Sequence, residues 1–405
     1  MNRIFIASLY IFVASLALSK TAETYLLIFL WLLVAAHAPF RQAMRTADAR
    51  TRRLGGLFLI LIGWIFVTAL LRGMPLRPAD RFLHYTPILL VPLFAHYRRH
   101  LPRLVMLYAA VCATVVALAL LQKTSGMVFP GPFQAYRGER LAGFAGHPIH
   151  MAGYYAFGAV MCTTLLFFGN FTTSQRTLAA ICAVMLSLGV LLTQSRGFLL
   201  VYPLTLVLLA LYTRHRQLAW TVTGGFFAAA VYAVFDRALL MRALTLFDLN
   251  GYVSNVERIR LWKLATQILT GDWSVFLFGI GFGGWRRRAP EFFRTYAPDM
   301  MEAARHKHVH NVFLQWAVET GVIGVLLFCV FMAFIIMALV KIMAKFPRGS
   351  FEFAAACGGL FVVICFLLGG LFDYLHDPII LTPLFTLLGF ALAGGTPRAA
   401  EDRGP

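Results

Sequence analysis

The sequence predicts an all-α integral membrane protein with about twelve transmembrane helices, and three observations carry that reading. The chain is 60 % hydrophobic and 13 % charged over 405 residues, more apolar surface than a water-soluble domain can leave exposed. Apolar windows of about 17 to 22 residues, the length a helix needs to cross roughly 30 Å of hydrocarbon, recur along nearly the whole chain. The six cysteines (Cys112, Cys162, Cys182, Cys329, Cys357 and Cys365) all fall inside those windows without a C-x-x-C pair, so they read as small core residues and not as a disulfide or zinc framework.

The windows lie near residues 4–19, 24–40, 55–72, 82–97, 102–122, 150–169, 177–193, 198–213, 217–235, 310–340, 352–375 and 378–395. The first, within MNRIFIASLYIFVASLALSK, has one Arg and an apolar run but no small-x-small cleavage site before the next segment begins at Tyr25, so it reads as a retained span. An even count puts both termini on one side. This spacing divides the chain into nine helices over residues 1–235, one large outer loop over 236–307, and three helices with a short tail over 308–405.

Charge sets the orientation. With cytoplasmic termini, the cytoplasmic segments carry 17 Lys and Arg and the short outward loops carry 8, the asymmetry that the positive-inside rule favours. Asp236 to Lys307 stands apart: it holds 11 of the 36 basic residues, and long loops cross the membrane regardless of charge. Its stretch WRRRAPEFFR, Trp285 to Arg294, interleaves arginines with aromatics and suits a negatively charged lipid surface as an interfacial anchor.

Three groups on that outer side could carry chemistry. In TQSRG, Thr193 to Gly197, the connection between two spans is so short that Arg196 sits at the membrane boundary. There it either snorkels to headgroups or holds a phosphate through its guanidinium fork. ERIRLWKLATQILTG, Glu257 to Gly271, reads as an amphipathic helix with Leu261, Trp262, Ala265, Ile268 and Leu269 on one stripe. Arg258, four residues before Trp262, falls on that apolar face and needs an anionic partner, whereas Arg260 points to the polar side.

The third group is HKHVHNVFLQWAVETGVIGVLLF, His306 to Phe328, with histidines at every second position. A metal would need those rings on one extended strand plus a further ligand, and neither an H-E-x-x-H nor a D-x-D lies nearby. No metal and no cofactor is therefore expected. His306 and His308 read as loop residues at the membrane rim. His310 begins a helix whose Ala317, Gly321 and Gly324 share a face of small residues suited to packing against another span, with Asn311, Gln315 and Glu319 as a polar stripe beside it. An imidazole there can accept a proton or simply cap the helix end. Arg140, with His147 and His150 at the start of a span, and Asp373, with His376 and Asp377 at a late turn, are supporting candidates, or else ordinary helix-end polar groups.

His310, Asn311, nine residues, Gly321, two residues and Gly324 resemble the H-[N/S/Q]-x9-G-x-x-G pattern of bacterial O-antigen ligases. Ser195-Arg196-Gly197 at a span boundary and Arg258-Ile259-Arg260-Leu261-Trp262 in the large loop are similar to that family's S-R-G and R-x-x-L-W elements. The length, the spans and the single dominant outer loop resemble the family too. The resemblance implies a GT-C-like, metal-independent glycosyltransferase of the bacterial inner membrane with its site facing the periplasm. It would transfer O-antigen polysaccharide from undecaprenyl diphosphate to a sugar hydroxyl of lipid A-core, with inversion. In that reading His310 is the catalytic residue, Arg196 and Arg258 hold the diphosphate, and Arg140, Asn311 and Asp373 support them.

The partners would be the lipid-linked donor, the lipid A-core acceptor and membrane lipids, with no nucleic acid; a net charge of +19 suits two anionic lipid substrates. The R-x-x-L-W and R-x-x-G elements also occur in O-antigen polymerases and in pilin-glycosylating ligases, so a polymerase or a protein O-oligosaccharyltransferase is the alternative. A transporter of lipid-linked sugar would also want outward arginines, but the paired Gly/Pro-broken spans of alternating access are missing from the sequence.

Overall fold

An apolar segment in a bilayer must satisfy its backbone internally, and helices do this for the spanning segments here. The computed structural model describes residues 2–127, 135–137, 140–144, 147–245, 248, 253–300 and 308–396. In chain order the helices are α1 (Asn2–Ser15), α2 (Lys20–Ala36), α3 (Ala38–Arg45), α4 (Ala49–Leu71), α5 (Val91–His96), α6 (Leu101–Ser125), α7 (Pro148–Phe168), α8 (Thr173–Thr193) and α9 (Arg196–Thr213). There follow α10 (Arg216–Phe235), α11 (Arg237–Leu244), α12 (Val253–Thr270), α13 (Trp273–Phe278), α14 (Gly284–Tyr296), α15 (Val312–Lys345), α16 (Phe351–Phe372) and α17 (Pro378–Gly394). Two short strands, β1 (Tyr136–Arg137) and β2 (Arg140–Leu141), pair antiparallel between α6 and α7.

Among the described residues eight helices are long and apolar enough to cross a membrane: α4, α6 to α10, α15 and α16. The pair α2 and α3, bent by 91°, makes a ninth if it is one broken span, while α1 and α17 are apolar but shorter. The protein is thus an all-α, multi-pass membrane protein. Residues 82–97, expected as a span, form a 3₁₀-helix, Arg77–Leu90, that runs into α5. Pro87 lies inside the 3₁₀ run and Pro92 in the first turn of α5, and neither can donate a hydrogen bond to an α-helical ladder.

Lipid tails give helices little hydrophobic reason to associate, so close approach and buried polar contacts hold such a bundle. Helix α7 is buried along most of its length against α8 and α16. One turn into α2, the fully buried Glu23 accepts hydrogen bonds from Thr382 Oγ1 at 3.2 Å and Tyr154 Oη at 3.3 Å. His84 Nδ1 lies 2.8 Å from the same Thr382 hydroxyl, so one polar cluster ties α2, α7, α17 and the 3₁₀-helix together. Helix α10 has its main contacts with α9 and α11 and is otherwise exposed along its spanning length.

Above the bundle, α12 and α14 share a second apolar core with Val309 and Val318, built on Leu261, Leu264, Trp285 and Phe293. The stretch WRRRAPEFFR, expected as an interfacial anchor, spends its apolar stripe inside the protein. Trp285 and Phe293 are fully buried while Arg286, Arg287 and Arg294 are exposed. The exposed aromatics of this region include Trp273, at the start of α13, and Tyr296, at the end of α14.

Helix α15 breaks at Gly321, whose φ of 72° is left-handed. The break receives α13. A Cβ on Gly321 would overlap the carbonyl of Leu277, and one on Gly279, at φ 71°, would overlap the Glu319 backbone. Ile280 N donates to Val318 O at 2.8 Å, Trp64 Nε1 to Thr320 O at 2.9 Å, and Arg72 Nε to Gly279 O at 2.8 Å. The expected face of small residues therefore divides: Gly324 lies against Trp64 of α4, as span packing requires, but Gly321 serves a backbone-to-backbone contact with the loop.

Gly321→Ala and Gly279→Ala combine a disfavoured φ with overlap against backbone, and each should destabilise the protein by about 2–4 kcal/mol. Gly63→Ala, within α4 and with open space around its Cα, should be neutral or stabilising by up to ~1 kcal/mol. Thermal unfolding followed by size-exclusion chromatography of the three purified variants checks the order.

Candidate active site

The turn between α8 and α9 is two residues long, with Gln194 left-handed at φ 50° and Ser195 at the N-cap. Arg196 is consequently the first residue of α9, and it is buried instead of reaching outward to headgroups. Its Nη1 donates to Asn255 Oδ1 at 2.8 Å and its Nη2 to Ser254 Oγ at 2.7 Å, both in the first turn of α12. The Asn255 amide nitrogen donates to the carbonyls of Thr245 and Asp248, each at 2.8 Å, which turns its oxygen towards Arg196. Arg140, on β2, donates through Nε to Thr193 O at 3.1 Å, the last residue of α8. Arg140 and Arg196 thus flank one turn.

One turn further along α12 stands Arg258. Its Nη2 lies 3.1 Å from Asp373 Oδ2, and among the described residues this carboxylate is its one acceptor. The stripe of α12 packs as its spacing suggests, with Leu261, Leu264, Ala265 and Ile268 buried. Arg260 faces the other way and pairs with Asp299 at the surface. Trp262 ties the helix to the histidine segment, its Nε1 donating to Val309 O at 3.0 Å.

His310 does not lie in the first helical turn. Asn311 is the N-cap of α15, its Oδ1 accepting Leu314 N at 2.9 Å and its Nδ2 donating to Leu371 O at 3.2 Å. His310 precedes it in a left-handed conformation, φ 53°, which aims the ring across at the end of α16. There His310 Nδ1 lies 2.9 Å from Asp373 Oδ1. Burial alone would raise the Asp373 carboxyl, but the His310 hydrogen bond and the Arg258 charge hold it at about 2. An ionised carboxylate only accepts, so the shared proton belongs to Nδ1, and in the tautomer this selects the lone pair of the imidazole is on Nε2.

Asp373 therefore gathers Arg258 and His310, while Arg196 holds the start of the helix that carries Arg258. The sequence placed Arg196, Arg258, His310, Asn311, Arg140 and Asp373 in one outward group; the structure joins Arg258, Asp373 and His310 directly, whereas Arg196 bonds Ser254 and Asn255, Arg140 bonds Thr193 and Asn311 bonds Leu371 and Leu314. His308 stacks on Tyr374, rings 4.0 Å apart and planes 13° apart; burial, then the charges of Arg81 and His310, push it down to about 4. His306 lies outside the described residues. Among the described residues no group of three or more His, Cys, Asp or Glu is placed to hold a metal ion. A cavity of about 630 Å³ lined in part by Arg3, His37, Phe40 and His96 opens at the opposite end of the bundle and contains none of these residues.

Sequence reasoning missed Tyr374, Arg81 and Gly279. The glycine-dense GIGFGG run, Gly279 to Gly284, was the available signal for the last; the other two contacts are long-range and leave no local pattern.

Fold and site together define a multi-pass membrane protein that collects arginines, a histidine and a buried carboxylate at the mouth of its bundle. Residues 181–329 match the model of the O-antigen ligase family. The match contains Arg196, Arg258, His310 and both motif glycines; Arg140 and Asp373 lie outside it. A comparison with curated proteins finds no match.

Because the Asp373 carboxyl lies below the roughly 3.9 of an unfolded chain, its stabilisation is complete above about pH 5 and is lost as pH falls towards 2. Asp373→Asn should lower stability at pH 7 by about 2–3 kcal/mol and flatten the fall between pH 5 and pH 3, read from thermal unfolding at each pH.

Proposed function

We propose that this chain is a glycosyltransferase that moves O-antigen polysaccharide from undecaprenyl diphosphate to a sugar hydroxyl of lipid A-core, at the periplasmic face of the bacterial inner membrane. The family match supports ligase or polymerase chemistry, and one observation supports the assignment of roles: a single buried carboxylate holds His310 and Arg258 side by side.

The reaction needs a base and a charge sink. The acceptor oxygen attacks the anomeric carbon as the bond from that carbon to the diphosphate oxygen breaks, and the electron pair leaves with the diphosphate. His310 Nε2 takes the acceptor proton while Asp373, on Nδ1, fixes the tautomer and stabilises the imidazolium that forms. Arg258, with one of its five donors engaged by Asp373, offers the others to the leaving diphosphate. Arg196 bonds Asn255 and Ser254, one turn before Arg258 on α12, a placement that suits two guanidiniums bracketing both phosphates.

Attack opposite the leaving group inverts the anomeric centre. The arginines would do in this site what a divalent cation does in many soluble transferases. Arg140 and Asn311 hold the α8–α9 turn and the His310 segment in place. The exposed Arg286, Arg287 and Arg294 of α14 suit the phosphates of the acceptor lipid. The apolar flanks of the bundle would take the isoprenoid tail in a GT-C-like arrangement.

Transfer from lipid-linked O-antigen to lipid A-core by the purified protein should survive EDTA and fall by at least ~100-fold in His310→Ala. Arg258→Lys keeps the charge but loses the fork, and should cost about 10- to 100-fold in kcat/KM. Activity abolished by chelation would overturn the arginine assignment. Glycan lengthening without any lipid A-core on the same gel would make the protein a polymerase.

A further inference from the structure

We infer that Tyr374, braced by Arg81, is a positioning residue that sets the Asp373 carboxylate against His310. This rests on the reading of His310 and Asp373 given above. Tyr374 follows Asp373 directly, and its backbone N–H donates to Asp373 Oδ1 at 2.9 Å, the same oxygen that takes the proton of His310 Nδ1. Any rotation of that peptide moves the atom on which the imidazole depends.

The Tyr374 side chain resists such rotation. It is buried, its ring lies flat on His308, and its hydroxyl accepts a hydrogen bond from Arg81 Nη1. Arg81 comes from the 3₁₀-helix, and its guanidinium carbon lies 5.8 Å from the Tyr374 ring centroid, within the range of cation–π attraction. His308 precedes His310 by two residues, so the stacked pair joins the segment carrying the base to the turn carrying its partner at a second point. The Asn311 to Leu371 bond is a third. One hydrogen bond between two loop residues leaves the ring free to pivot, whereas three separated contacts define its plane; a catalytic group must be held within about 0.5 Å and 10–20°. His308, held at about 4, stays neutral and can lie near Arg81 without charge repulsion.

Tyr374→Phe keeps the ring and the stack and removes only the hydroxyl. In full-length protein in lipid nanodiscs it should lower kcat for transfer about tenfold, with KM for the donor changed less than about twofold, because a misplaced base slows the chemical step and not binding. Arg81→Gln should give the same loss, and the double variant should be no worse than either. In an Asp373→Asn background, Tyr374→Phe should change nothing further, since a residue acting through Asp373 has nothing left to position. A loss of the same size in that background, or wild-type kcat in Tyr374→Phe, overturns the brace.

Hydrogen exchange gives a readout that needs no turnover: Tyr374→Phe should speed exchange at residues 308–311 and 372–375 and leave α4 unchanged. Unchanged exchange at those residues overturns the brace whatever the reaction. Faster exchange in a protein whose wild type transfers no glycan leaves the brace standing and refutes the ligase assignment.

Discussion

Asp373 is the residue on which the arrangement turns. A carboxylate at the end of a spanning helix is costly to bury, and the cost is offset only when both oxygens are engaged by charge or hydrogen bond. Here one oxygen takes the His310 ring and the Tyr374 amide, and the other takes Arg258. Three elements that do not adjoin in sequence (α12, the segment before α15, and the turn after α16) thereby lose their independence. The proposed base and the proposed charge sink stand at a set separation because they share an anchor.

A charged pair at that depth also orders the chemistry. The same carboxylate that faces an imidazole on one side faces a guanidinium on the other, so in the proposed reaction proton uptake at His310 and negative charge near Arg258 would be felt through one group. Arg196 completes the picture from the side. Buried against Ser254 and Asn255, it orients the first turn of α12 and so aims Arg258 as well as contributing its own charge.

Much of this was legible in the sequence because membranes permit few alternatives. Apolar windows had to become helices, and a charge on an apolar stripe had to find a partner; Arg258 found Asp373. Other features were hidden for physical reasons. The 82–97 window is as apolar as a span, and only its two prolines betray that it cannot keep an α-helical ladder. The glycine pattern after His310 reads equally well as a small packing face, because a left-handed φ at Gly321 has no signature distinct from that of any helical glycine. The aromatics of WRRRAPEFFR suit a lipid surface or a protein core alike, and the stripe of α12 decides in favour of the core. Partners such as Arg81 and Tyr374 are brought together by tertiary folding alone.

The interlock at Gly321 turns a sequence spacing into a ruler. His310 is moored to Asp373 at one end, and Gly321 is wedged against the Leu277 carbonyl at the other. Between them runs a rigid rod, Val312 to Thr320, whose nine residues measure about 13 Å at 1.5 Å per residue. A rod between two moorings cannot gain or lose a residue without also rotating its end by about 100°, which would swing the imidazole away from its partner. In this fold the stretch tolerates exchange of side chains more readily than any change of length.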